Sequence, residues 1–413
     1  MKRSAMVVGL LALLLAPACQ NLRPFKCADP LGCVTLAPEA PLRLGVIHDL
    51  SGGGAVFGVE QRNIFELVVA EHDGQLLGHP IQVQVEDELC TAEGGANAAL
   101  RITAVPETVG IFGTTCSSAA AAAMGVISDT GMVMISGVNS APSLTSFGGD
   151  AGADWRPGYF RTMLNVAEEA DATAVYIYQE LGVTRAATVD DGDTFSLAYK
   201  EVFAQKFVEL GGKIVAEVTV NKGDTDMRPV LEAITAAEAQ LVFLSLFPPE
   251  GAALVQQARQ VPGMETRIIF GGGSLRTDNF LAAAGDAALG MYFVGSAPPV
   301  EGPANDALVA AYTARFGAAP QTVTYAYGYD AANLLLHAIE AVSVQEENGT
   351  LHIGRQALRD ALYTTQDFSG VTGAIQCNPL GDCAVVRFDF LKMTTPVNHV
   401  QELLSQVVYT YRP

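Results

Sequence analysis

Two short segments of this chain carry hydroxyls and backbone donors in places where a small anion is readily held. Ser117 and Ser118 follow the apolar run VGIFG in GTTCSSAAAA, and the Ala-rich stretch predicts a helix starting at about the same point. A helix start offers unpaired N–H groups and a partial positive charge, and a serine hydroxyl adds a donor. Together these hold a carboxylate without a countercharge. The second segment, SGVNSAPSLT (136–145), follows the run MVMISG and presents Asn139, Ser140 and the backbone of Val138. Taken singly, the first segment is an ordinary helix cap and the second a turn around Pro142. Facing each other across one cleft, they make an anion site.

Other chemistry finds less support. There is no G-x-S-x-G, no P-loop and no H-E-x-x-H. Gly52-x-Gly54 leading to Gly58 departs from the dinucleotide pattern G-x-G-x-x-G. Asp87, between Glu86 and Glu88, reads as a strand-end turn beside Cys90, and Asp190-Asp191 lacks a general base partner. With no nucleophile–base pair to assemble, the chain reads as a binding protein rather than an enzyme, with no cofactor. None of the six histidines stands at metal-ligand spacing to a cysteine, so no metal is expected. A formal charge of −20 argues against nucleic acid as a partner.

The first residues address the compartment. Lys2 and Arg3, the apolar run Ala5 to Ala16, and Pro17-Ala18 before Cys19 form a secretory signal over 1–18, too short to span a membrane. Cleavage before a lipid-carrying Cys19 resembles a bacterial lipoprotein signal, although Leu15 sits one place upstream of the usual leucine. The reading is therefore of a lipid-anchored protein in the periplasm or on the cell surface. Residues 19–41, with Pro24, Pro30, Pro38 and Pro41, read as a tether. Setting Cys19 aside leaves six cysteines. Cys27 with Cys33 and Cys377 with Cys383 each bracket a turn-rich segment, which suits local bridges in an oxidising compartment.

From residue 42 short β-type runs alternate with amphipathic helical stretches. LRLGVIHDL, IQVQVEDE, VGIFG and MVMISG are such runs in the first part, and AATVDD, KIVAEVTVN, LVFLSLF, RIIFGGG and GMYFVGS follow. Strict βαβα alternation over 413 residues predicts two doubly wound α/β lobes with parallel sheets covered by helices on both faces. In such sheets ligands bind at the carboxyl ends of the strands. That singles out HDLSGGGAVFG, EDELC, GTTCSS, SGVNSAPSLT, DDGDTF, LFPPE and GGGSL.

At these segments the chain resembles the leucine/isoleucine/valine-binding family of periplasmic binding proteins, type I fold. The likeness runs through LGVIHDLSGGGAVFG, LLGHPIQVQVEDELC, IFGTTCSSA, DTGMVMISGVNSAPSLT, VDDGDTFS and YAYGYDAANLLLHAIEA. It implies a three-segment hinge joining lobe 42–160 plus 297–382 to lobe 161–296 plus 383–413. It implies a Cys90–Cys116 disulfide, a monomer, and delivery of a small carboxylate or amino acid to an ABC permease, with ligand sensing as the alternative. Carried over by position, Ser117 holds the ligand carboxylate, and Val138 and Ser140 grip the ligand termini, with Asn139 between them. Phe57 and Phe195 stand where the branched-chain binders have tyrosines, and Phe247 or Pro248 forms a third wall. Gly273 falls where an acidic residue would meet the ligand's ammonium. Asp191, Asp193, Glu250 or Asp278 could substitute; otherwise the ligand is a desamino aliphatic or aromatic acid.

Overall fold

A computed structural model describes residues 25–299, 302–384 and 386–411. The signal segment and Cys19 lie outside the described residues. Two large sheets dominate. The first runs, in spatial order, Gln75–Leu76, His79–Asp87, Leu42–His48, Thr108–Gly113, Val133–Ser136 and Tyr159–Arg161. All its pairings are parallel except the short hairpin of Gln75–Leu76 with His79–Pro80. The second runs Lys213–Thr219, Arg185–Asp190, Leu241–Ser245, Ile268–Gly271, Tyr292–Ser296, Phe388–Lys392 and Val407–Tyr411, the last two antiparallel.

The sequence pattern explains these elements. Leu42, Leu44, Val46 and Ile47 form a nearly continuous apolar strand and are all buried, as a sheet covered on both faces requires. One face of the first sheet packs on Leu334, Leu335 and Ile339 of the helix Thr324–Val342. The other packs on Ala98, Ile102, Ala120 and Met124 of the helices Ala92–Thr103 and Ser117–Ile127. The second sheet is likewise covered on both faces. Helix starts follow cap chemistry: Thr91 accepts from Gly94 N–H and Asp193 from Phe195 N–H.

The chain passes between the sheets three times, after Arg161, after Ser296 and before Phe388. Two of these passages are tied together. Arg161, fully buried, donates from Nε to Asp382 Oδ1 at 2.6 Å and from Nη1 to Ala141 O at 2.7 Å. Asp382 also accepts from Thr145 and Ser146.

The tether expected over 19–41 is corrected in part. Cys33–Leu36 is a strand paired antiparallel with Leu351–Gly354, with Val34 and Leu36 buried. Asp29 accepts from the N–H groups of Gln356 and Ala357 at the start of the helix Arg355–Tyr363. The inward-facing alternation of Val34 and Leu36 drives this docking, and prolines on either side hid it. The C-terminal strands Phe388–Lys392 and Val407–Tyr411 were also absent from the sequence reading.

All six described cysteines are paired, as Cys27–Cys33, Cys90–Cys116 and Cys377–Cys383. No described helix is long and apolar enough to cross a membrane. Intact mass under non-reducing conditions is expected to show all three bonds. Replacing Cys90 and Cys116 together with Ala should cost about 3–4 kcal/mol in denaturant unfolding, given the loop they close; unchanged stability would contradict this.

Candidate functional site

Numbered along the chain within each sheet, the five parallel strands lie in the order 2-1-3-4-5. In this topology the loops after strands 1 and 3 leave toward opposite faces and open a crevice between them. In the first sheet these loops are 49–54 and 114–116; in the second they are 191–193 and 246–247. Both sets contribute to one cleft of about 680 Å³, mouth included. Phe57, Thr115, Ser117, Val138 and Ser140 line it from one side, and Phe195, Phe247, Gly273, Ser274 and Arg276 from the other.

The loop before Ser117 is held from several directions. Glu88 Oε1 accepts from Thr115 N–H at 3.1 Å and Cys116 N–H at 2.7 Å. Burial pushes this carboxyl well above the ordinary range, and the charges of Asp49 and Asp193 add to the shift. Thr115 Oγ1 lies 3.0 Å from His48 Nδ1 and accepts from Asp49 N–H at 3.1 Å. Asp49 in turn accepts from Gly52 and Gly54 N–H, fixing the turn that launches the helix Ala55–Glu71 and places Phe57. Gly58 is needed there, because a Cβ at that position would stand 1.9 Å from Asp49 O.

The second segment docks onto this loop. Ser136 Oγ donates to Thr114 O at 2.8 Å and accepts from the N–H groups of Val138 and Asn139. Ala141 N–H points at Ser117 Oγ at 3.4 Å, so the two loops meet at that serine. Ser117 heads the helix Ser117–Ile127. Asn139 is the exception to the expected set. Its Oδ1 accepts from Thr114 Oγ1 and Tyr159 OH, its Nδ2 donates to Thr115 O, and it does not line the cleft. A carboxamide satisfied on both ends inside the protein knits the loops together.

The walls are aromatic. Phe195 opens the helix Thr194–Glu209 and Phe247 caps Pro248–Ala258; their rings lie 6.1 Å apart at 55°. Of the two residues left open by the sequence, Phe247 lines the cleft and Pro248 does not. Contacts join the two sides: Ser118 Oγ donates to Asp193 Oδ2 at 2.5 Å, and Lys222 Nζ donates to Cys90 O at 2.8 Å.

The acids proposed to replace the one missing at Gly273 are engaged elsewhere. Asp193 caps its helix and meets Ser118 and Lys222, Glu250 accepts from Gly223 N–H, and Asp278 holds His399 and Val400. Asp191 accepts from Asp193 N–H and is not on the cleft wall. Instead, two residues the sequence reading missed stand beside Gly273. Glu169, from the helix Val166–Val175, lies with Oε1 3.6 Å from where a Gly273 Cβ would be and accepts from Tyr199 OH at 2.5 Å. Burial raises its pKa, opposed by Tyr199, Arg276 and the Gly273 N–H. Arg276 is buried, donates from Nη1 to Ser296 O at 3.0 Å, and leaves Nε and Nη2 without partners. Arg276 was legible as a post-strand residue, one place beyond the segment GGGSL; Glu169 gave no signal, since only folding brings it to Gly273.

A two-lobed α/β body with hydroxyl donors on one side of a cleft and aromatic walls on both defines a cleft-binding protein for small solutes. A family model described as periplasmic binding protein matches residues 41–381, and the chain belongs to that family. It is 23% identical to the Leu/Ile/Val-binding protein BraC3 of Rhizobium johnstonii, over 86% of this chain and 92% of that one. Among solved structures it resembles the leucine-binding protein LivK of Thermotoga maritima, with TM-score 0.75, 23% identity and coverage of 86% and 96%. A solute-binding protein of an ABC transporter from Rhodopseudomonas palustris HaA2, in complex with p-hydroxybenzoic acid, gives TM-score 0.75, 20% identity and coverage of 90% and 97%.

Two outcomes follow from this geometry. Asn139→Ala is expected to lower stability by about 1–3 kcal/mol, because it strands buried partners; a thermal melt matching wild type would contradict the knitting role. Burial, aided by the Asp193 charge and opposed by Lys222, pushes the Asp191 pKa from 3.8 up to about 6. A raised carboxyl pKa stabilises the fold fully below the unfolded value, and that stability is lost as pH rises through the folded value. Relative to wild type, Asp191→Asn should therefore gain about 2 kcal/mol between pH 4 and pH 7 in denaturant unfolding. A pH-independent difference would refute the shift.

Proposed function

We propose that the cleft captures a small apolar or aromatic carboxylate, its carboxylate on Ser117, Ser140 and the first turn of the helix Ser117–Ile127. The observation that carries this reading is the meeting of two loops at Ser117, where Ala141 N–H reaches the serine hydroxyl. The donors there are neutral and buried, so a carboxylate gains short charge-assisted bonds without a competing countercharge. The body of the ligand lies against Phe57, Phe195, Phe247 and Val138, flat apolar surfaces without hydroxyls. An α-ammonium is disfavoured, because Gly273 supplies no carboxylate and Glu169 shares its charge with Arg276.

Lobes 42–160 plus 297–382 and 161–296 plus 383–413 close about the three passages near Arg161, Ser296 and Asp382. Only the closed state offers contacts from both sides, so ligand binding shifts the population toward it. The closed monomer is read by an ABC permease, which imports the solute. Several relatives are described as binding leucine, isoleucine and valine or benzoates, which fits an apolar carboxylate. Cys19 carries the lipid that keeps the chain at the membrane surface. The role is capture rather than turnover, in keeping with a family of binding proteins.

A thermal-shift panel of branched-chain amino acids, their desamino acids, benzoates and the matching amides tests this. Stabilisation by carboxylates and none by amides is expected; the reverse would sink the assignment. Ser117→Ala should weaken binding of the best acid by about 1–2 kcal/mol in titration calorimetry.

A further inference from the structure

Resting on the carboxylate reading, we propose that Glu169 and Arg276 recognise a second, uncharged group of the ligand, a hydroxyl distinct from its carboxylate. Arg276 is 1% exposed, yet two of its three guanidinium nitrogens have no partner. A buried cation with idle donors is costly, and a purely structural arginine would have them filled. Arg276 lines the cleft, and so does Glu169. Glu169 is 5% exposed and takes Tyr199 OH on Oε1. Gly273, with no side chain, leaves this carboxylate uncovered; the nearest atoms to an added Cβ are Gly295 Cα at 3.4 Å and Glu169 Oε1 at 3.6 Å.

The pair selects by charge. An ammonium would be drawn to Glu169 and repelled by Arg276, and a second carboxylate would meet the reverse. A hydroxyl accepts from the guanidinium and donates to the carboxylate, filling both without placing a new charge in a dry site. With the carboxylate at Ser117 and aromatic walls on the same cleft, the fitting ligand is a hydroxylated aromatic or aliphatic acid.

Calorimetry on the full mature chain with benzoate, its 2-, 3- and 4-hydroxy derivatives, 4-methylpentanoate and leucine tests this. At least one hydroxybenzoate is expected to bind about tenfold or more tighter than benzoate, the value of one hydrogen bond to a charged group. In Arg276→Met that ratio should fall toward one, whereas a merely structural arginine would move both affinities together and leave it. Should Arg276→Met fail to fold, Glu169→Gln is expected to reduce the same ratio. Equal binding of benzoate and every hydroxybenzoate, or leucine binding tighter than 4-methylpentanoate, would overturn the inference while leaving the carboxylate site standing. Binding of no acid at all would overturn both.

Discussion

A carboxylate gripped by neutral donors requires that those donors cannot turn away. In the proposed site that requirement falls on four residues, Thr114 to Ser117, and much of the surrounding structure holds them. Glu88 holds two N–H groups of the loop, Asn139 holds its carbonyl and hydroxyl, and the Cys90–Cys116 bridge ties it to the neighbouring strand end. The energy of ordering the loop is met during folding, so the ligand need not supply it on binding. The polar atoms in this network are themselves buried, which makes the arrangement intolerant of partial loss.

The same residues join the two sides of the cleft. Cys90 presents its carbonyl to Lys222, and Ser118, one place after Ser117, donates to Asp193. Asp193 also caps the helix that carries Phe195, so the wall of the second lobe is positioned by a residue that contacts the first. Lys222 lies 5.4 Å from the Phe247 ring centroid, adding the other wall to the set. The cleft is thus closed by contacts built on the loops that define it.

Much of the fold was legible because strands buried on both faces leave continuous apolar runs, and their order along the chain gives the parallel topology. The strand Cys33–Leu36 was not legible, since its partner lies more than three hundred residues away and prolines flank it. The residues expected at the site from post-strand position and family resemblance, Ser117, Val138, Ser140, Phe57, Phe195, Phe247 and Gly273, all line the cleft. Asn139 was assigned to the ligand because sequence gives residue type but not the direction of an amide. Glu169 was missed for the complementary reason: its place beside Gly273 arises from a meeting of a helix and a distant loop that no local spacing records, whereas Arg276 stood one residue past a segment already singled out.

The most direct test is a crystal structure of the protein with a bound acid. The account predicts both carboxylate oxygens within hydrogen-bond distance of donors from Ser117 and the Val138–Ala141 segment, with the aromatic walls closed over the ligand body. A carboxylate turned instead toward Arg276, with Ser117 touching only protein, would contradict it.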